Sequence, residues 1–244
     1  MNNTEQYRFA PNITNYPVAK MDFDEGDFVK ERAIYGGTLG WTQQNADPIT
    51  QAVLKELLRL QRFNDDIEPH AMRGYHPVID TRVTMMINEN FAPVDLMGEE
   101  LEMYQAIAGW HCDGVPRKQH GCQPDLDKLG EPVKHYIFSL SSTDEQVSPT
   151  GLINTELALD IDVDKGMIWD QVNKQVQAAE KLNPSIHTKA ADNEFTRFSR
   201  ETIHCSNPST VRGFRFFFRC SFYHMPAMNQ FRANNNVYLV PKGW

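Results

Sequence analysis

A chain of 244 residues, 41% of them apolar, is long enough to bury a substantial core as one domain or one domain with decorations. It has no apolar run of about 18 residues, which excludes a membrane-spanning helix, and its net charge of −8 argues against a surface built to coat nucleic acid. Four cysteines without a framework spacing, and a start at 1–6 that is neither basic nor apolar, point to reduced thiols in a cytoplasmic protein.

Residues 1–45 hold several Gly and Pro with no steady period and read mostly as loop with short elements. Asp47-Pro48 has the form of an N-cap followed by proline at the first helical position. Ile49, Val53, Leu54, Leu57 and Leu58 follow at helical spacing, which predicts an amphipathic helix to about Phe63, packed on the outside of a sheet. Residues 81–88 predict a strand. Residues 102–113 predict a second, ending at Trp110-His111-Cys112-Asp113-Gly114, although 99–106 also fit a helix. On the strand reading His111 and Asp113 share one face with Gln105, and Cys112 points the other way.

Residues 117–132 form a polar loop rich in Gly, Pro and Asp, read as a lid or substrate-facing segment. Strands follow at 135–142 and 150–159. Residues 160–166 alternate acids as a calcium loop does, but without its full spacing or closing Glu. A helix is predicted over 167–182, with Ile168, Val172, Val176 and Ala179 in line, then strands at 195–206 and 212–224 and a short one at 236–240. Many short strands with few helices predict a mainly β fold with flanking helices, a jelly roll. In that scheme 1–80 decorate, 81–225 form the core and 226–244 extend it.

An imidazole and a carboxylate on one strand face can share a metal ion and leave most of its coordination sphere open. His-x-Asp alone has little specificity, since roughly half of chains with this composition would contain one. Here the pair occurs once and ends a predicted strand. A later histidine, His204 in Thr202-Ile203-His204-Cys205-Ser206, heads an arginine-bearing strand. Two histidines and one carboxylate on one face of a metal form the donor set of non-haem iron(II) oxygenases.

In that last strand Phe214, Phe216, Phe218 and Cys220 form one face, and Arg215, Phe217, Arg219 and Ser221 the other. Two guanidinium groups lining a cavity are costly without an anion, and a dicarboxylate would supply one. The alternative is an edge strand with its arginines in water. From Lys181 onward nine basic residues face three acidic ones, and a local anion pocket accounts for that better than a nucleic-acid tract.

On these residues the chain resembles the iron(II)- and 2-oxoglutarate-dependent dioxygenase superfamily over roughly 81–225. The superfamily pattern is His-x-Asp, a distal His, then Arg or Lys starting the last core strand. The resemblance implies a double-stranded β-helix (a cupin-like jelly roll), with His111, Asp113 and His204 as iron ligands at the catalytic centre. It implies 2-oxoglutarate held by Arg215, eleven residues after His204 as in phytanoyl-hydroxylase-like and taurine-dioxygenase-like branches; Arg212 and Arg219 stay open, and Gln105 is counted with them. It further implies decarboxylation to succinate and CO2 coupled to attack on an unactivated C–H bond. An Asp ligand, where halogenating relatives have a small residue, favours hydroxylation over chlorination.

Arg215 and Arg219 are separated by four residues, about 13 Å of strand, so one cosubstrate cannot engage both while chelating iron. Arg219 is expected deeper, binding an anionic substrate group or pairing with an acid, and Arg212 is expected on the opposite face. Two rivals remain at this level. One is a structural or hydrolytic zinc site drawing on His111, Cys112, Asp113, His120, Cys122, His204 and Cys205, although no Cys-x-x-Cys is present. The other is a jelly roll that binds or builds without catalysis. A small molecule such as an amino acid is the expected substrate, with a nucleobase in nucleic acid as the alternative; a protein side chain stays open.

Overall fold

The computed structural model describes residues 4–86, 101–103, 109–118, 123–130, 133–207, 211–224, 227–231 and 239–241. In chain order these form β1 (Thr4–Phe9), β2 (Thr14–Pro17), α1 (Glu25–Lys30), β3 (Ile34–Tyr35), α2 (Leu39–Asn45), α3 (Pro48–Arg59), α4 (Gln61–Ala71), β4 (His76–Met86) and β5 (Leu101–Met103). After them come β6 (Lys134–Ser141), β7 (Thr150–Ile153), β8 (Leu157–Asp162), α5 (Ile168–Leu182), β9 (His187–Lys189) and β10 (Glu194–Ser199). The chain then runs through β11 (His204–Ser206), β12 (Gly213–Tyr223), β13 (Gln230–Phe231) and β14 (Leu239–Pro241). None of the described helices is long and apolar enough to cross a membrane.

The fold is mainly β and its sheets are antiparallel. A five-stranded sheet runs β2-β10-β6-β12-β4, and a three-stranded sheet runs β11-β7-β9. The alternation expected in β12 sets the layers. Phe216, Phe218, Cys220 and Phe222 point outward into a core with Tyr136, Phe138 and Leu140 of β6, covered by Ile49, Val53, Leu54 and Leu57 of α3 and by Phe28 of α1. On the outer side of the three-stranded sheet, Ile153 and Cys205 pack with Ile168, Trp169, Val172 and Val176 of α5 and with Leu159 and Ile161 of β8. Between the sheets lies a small apolar cluster of Ile137, Leu152, Ala190 and Phe198, with Phe217 against it.

Several local expectations are revised. The helix predicted to Phe63 breaks at Leu60, whose backbone is extended, and restarts as α4, so that Phe63 meets Tyr136 edge-on at 5.2 Å. Asp47 occupies the N-cap position of α3 without capping it, because Arg32 takes its carboxylate through Nε and Nη2 (2.8 and 2.7 Å). The buried Glu31 caps instead, accepting from the Ile49 and Thr50 amides at 3.0 and 2.9 Å. The stretch read mostly as loop contributes β1, paired with β8, and β2, an edge of the large sheet.

Candidate metal centre

The strand expected over 102–113 is not continuous up to the ligands. Residues 109–110 form a bend, His111 makes a single bridge, and Asp113 lies in a second bend; 104–108, and with them Gln105, lie outside the described residues. Gly109 adopts φ +61° with the Asn173 side chain against it, and the Asn173 carbonyl accepts from the Trp110 amide at 3.0 Å. This delivers His111 alongside β11. There the His111 amide donates to the His204 carbonyl (3.0 Å) and the His204 amide to the His111 carbonyl (2.9 Å). Gly114, at φ +73°, then turns the chain where a β-carbon would press on the His135 ring, and Asp113 swings inward. The pair therefore converges through a bridge and a bend, not through strand alternation.

His111, Asp113 and His204 each offer a ligand atom, all within 4.8 Å of one another. Asp113 Oδ1 lies 3.9 Å from His111 Nε2, and Asp113 Oδ2 lies 3.4 Å from His204 Nε2. Their tautomers follow from their other contacts. His111 Nδ1 meets the Gly109 carbonyl at 2.8 Å and His204 Nδ1 meets the Thr202 carbonyl at 3.1 Å. A carbonyl only accepts, so each Nδ1 carries a hydrogen and each Nε2 is turned towards the shared space.

Burial, reinforced by the neighbouring His204, pushes the His111 pKa down to about 4, against the opposing pull of Asp113, so the ring is neutral at physiological pH. For Asp113, burial alone would raise the carboxyl, but Arg219 and the two histidines hold it well below the usual carboxylate range. A neutral His111 imidazole and an ionised Asp113 carboxylate are protonation states that a divalent cation requires of such ligands.

The arginines of β12 divide as its pleat dictates. Arg212 is exposed ahead of the strand. Arg219 donates Nη1 to Asp113 Oδ2 and Nη2 to Asp80 Oδ2 (3.1 Å). The expected pairing of Arg219 with an acid is thus what the structure contains. Arg215 is buried on the same face; its Nη2 donates to Thr150 Oγ1 (2.8 Å) and, at 3.4 Å, to Ser139 Oγ, and its guanidinium lies 4.7 Å from the Phe217 ring centre. Among the described residues no carboxylate forms an ion pair with it, and its buried Nε has no hydrogen-bond partner. Burial lowers its pKa to about 10, with Asp192 opposing and Arg82 adding to the effect.

The cysteines of the zinc reading turn away. Cys112 and Cys205 lie in the apolar cluster under α5, and burial raises both thiols, that of Cys205 to about 12, so they stay protonated. His120 and Cys122 lie outside the described residues. Two further residues lie beside the site, Asp80, which went unread in the sequence, and His135, which reads there as an ordinary strand histidine. Asp80 is the single acid in β4 and sits directly across from Arg219. The fully buried His135 pairs Nδ1 with Ser221 Oγ at 2.7 Å, and burial drives its pKa down to about 3. Asp80 carried a signal, being one acid in a strand of otherwise apolar, hydroxyl and basic residues.

No family model matches the chain, and no curated protein matches it.

Proposed function

We propose that the protein is an iron(II)- and 2-oxoglutarate-dependent dioxygenase on a double-stranded β-helix. It hydroxylates a C–H bond of a small molecule such as an amino acid, with release of succinate and CO2. One observation carries the reading: the Nε2 atoms of two histidines and an ionised carboxylate converge on an inner surface whose large sheet also buries Arg215 without an ion-pairing carboxylate among the described residues.

His111, Asp113 and His204 would hold the iron. Iron and the 2-oxo acid supply the oxidising power when bound. The chain's own groups bind, orient and exclude water. The carbonyls of Gly109 and Thr202 fix the imidazole tautomers, and Arg219 holds Asp113 ionised. Arg215, oriented by Thr150, would hold a carboxylate of the cosubstrate, while Phe217, Ile137, Leu152 and Phe198 keep water from the space beside it.

The test is anaerobic protein loaded with iron(II) and 2-oxoglutarate, followed by succinate release against amino acids and nucleobase-containing substrates. A weak visible charge-transfer band is the expected result, and zinc, with its filled d shell, gives none. A colourless complex that still binds 2-oxoglutarate would count against chelation.

A further inference from the structure

Asp80 is almost fully buried, in a strand with no other acid. A buried carboxylate is costly unless it is paired. It lies directly across from Arg219 in the β4–β12 register; its Oδ2 takes Arg219 Nη2 at 3.1 Å and its Oδ1 accepts the Gly36 amide at 3.2 Å. Gly36 is fixed in turn, since its carbonyl accepts from the amides of Met228 and Asn229 at 2.8 and 3.0 Å. Asp80 therefore has a set position and cannot follow Arg219 about.

An arginine facing one carboxylate settles as a two-pronged fork on both oxygens. Here the fork is split, one prong on Asp80 and the other on Asp113 Oδ2. That split has a consequence for Asp113. With one prong detained, Arg219 cannot close over both Asp113 oxygens, so one stays available to a cation. The charges agree: two carboxylates against one guanidinium leave the group negative, whereas Arg219 and Asp113 alone would be neutral and attract a divalent ion less.

We infer that Asp80 is a positioning residue for the metal site, acting through Arg219 to keep Asp113 from being captured as a closed ion pair and so leaving it free to ligate. The inference rests on the metal reading of His111, Asp113 and His204.

The test is spectroscopic titration of the apo full-length chain with cobalt(II), whose visible bands report the ligand set without any turnover. The wild type is expected to bind one cobalt. Asp80→Asn is expected to bind it about ten- to a hundredfold more weakly, the usual loss for an outer partner of a metal ligand. The deciding variant adds Arg219→Gln to Asp80→Asn. With the competing guanidinium gone, affinity is expected to recover above that of Asp80→Asn alone, whereas two independent structural losses would weaken it further. Asp80→Ser, whose hydroxyl can accept the Gly36 amide, carries the same expectations if the Asn variant fails to fold. Unchanged cobalt affinity in a folded Asp80 variant, or a double variant weaker than the single one, overturns the positioning role and leaves the metal reading standing. A wild type that binds no cobalt overturns both.

Discussion

Of the four arginines in the large sheet, Arg197, Arg215 and Arg219 meet different company. Arg197, on β10, closes both prongs on Asp66, with Nε to Oδ2 at 2.7 Å and Nη2 to Oδ1 at 3.0 Å, and Tyr136 donates to the same carboxylate. That is the arrangement of a buried cation with only a structural part to play. Arg219 shares itself between Asp80 and Asp113, and Arg215 has hydroxyls and an aromatic ring but no ion-pairing carboxylate among the described residues. The strand and the residue type are shared by Arg215 and Arg219, so what separates their roles is the anion each meets. Where the protein supplies it, the arginine holds structure together; where it does not, a ligand can.

The sharpest way to break this contrast is to remove the centre to which Arg219 belongs. His111→Ala, Asp113→Ala and His204→Ala are each expected to abolish tight iron binding and turnover, read by metal analysis and succinate release, while circular dichroism shows the fold retained. Full activity in any one of them removes that residue from the ligand set.

Next in size is the outer face of the same strand. Phe218 is fully buried, and Phe218→Ala is expected to destabilise the protein by about 3–5 kcal/mol in denaturant unfolding. A loss below about 1 kcal/mol would mean that the outer face is not the core it looks to be.

Arg215→Ala is expected to raise the 2-oxoglutarate requirement by about two to three orders of magnitude, roughly 3–4 kcal/mol for a charge-assisted two-pronged contact. Arg219→Ala is expected to act first on metal affinity and stability. A titration in which Arg219→Ala has the larger 2-oxoglutarate defect would reverse the assignment of the two.

The last expected effect is on pH. His135 and His111 have folded pKa values pushed down to about 3 and about 4, against about 6.5 when unfolded. The unfolded chain therefore takes up these protons first as pH falls. The two histidines' contribution to the stability of the metal-free protein is fully present above about pH 6.5 and is lost progressively towards pH 4 and below, by up to about 1.4 kcal/mol per pH unit for each. Unfolding midpoints at pH 7 and pH 5 read the slope, and His135→Phe is expected to make it shallower.

Much of this was legible in the sequence because it is written in periods. The alternation of Phe and Arg in 214–221 fixes both faces of β12, and the apolar spacing in 49–57 and 168–176 fixes what covers the two sheets. His111, Asp113 and His204 could be named because their residue types are specific to metal chemistry. The way they meet could not, since a bridge and two bends at Gly109 and Gly114 carry no period. Asp80 and Glu31 escaped for a related reason: each acts on a partner far along the chain, Arg219 at 139 residues and Thr50 at 19, and a single sequence does not record such pairings. The strands β1 and β2 are mostly polar, and pairing along one edge gives them their form.

The reciprocal amide bonds between His111 and His204 make the two imidazole ligands halves of a single stitch. Each ligand's own N–H is the thread that ties down the other. Deuterium uptake at those two amides is therefore a gauge of whether the seam is shut. Because one pair of bonds joins the segment around His111 to β11, an ion gripping both rings would act as a knot on that thread, and the two protons would slow together when it is tied.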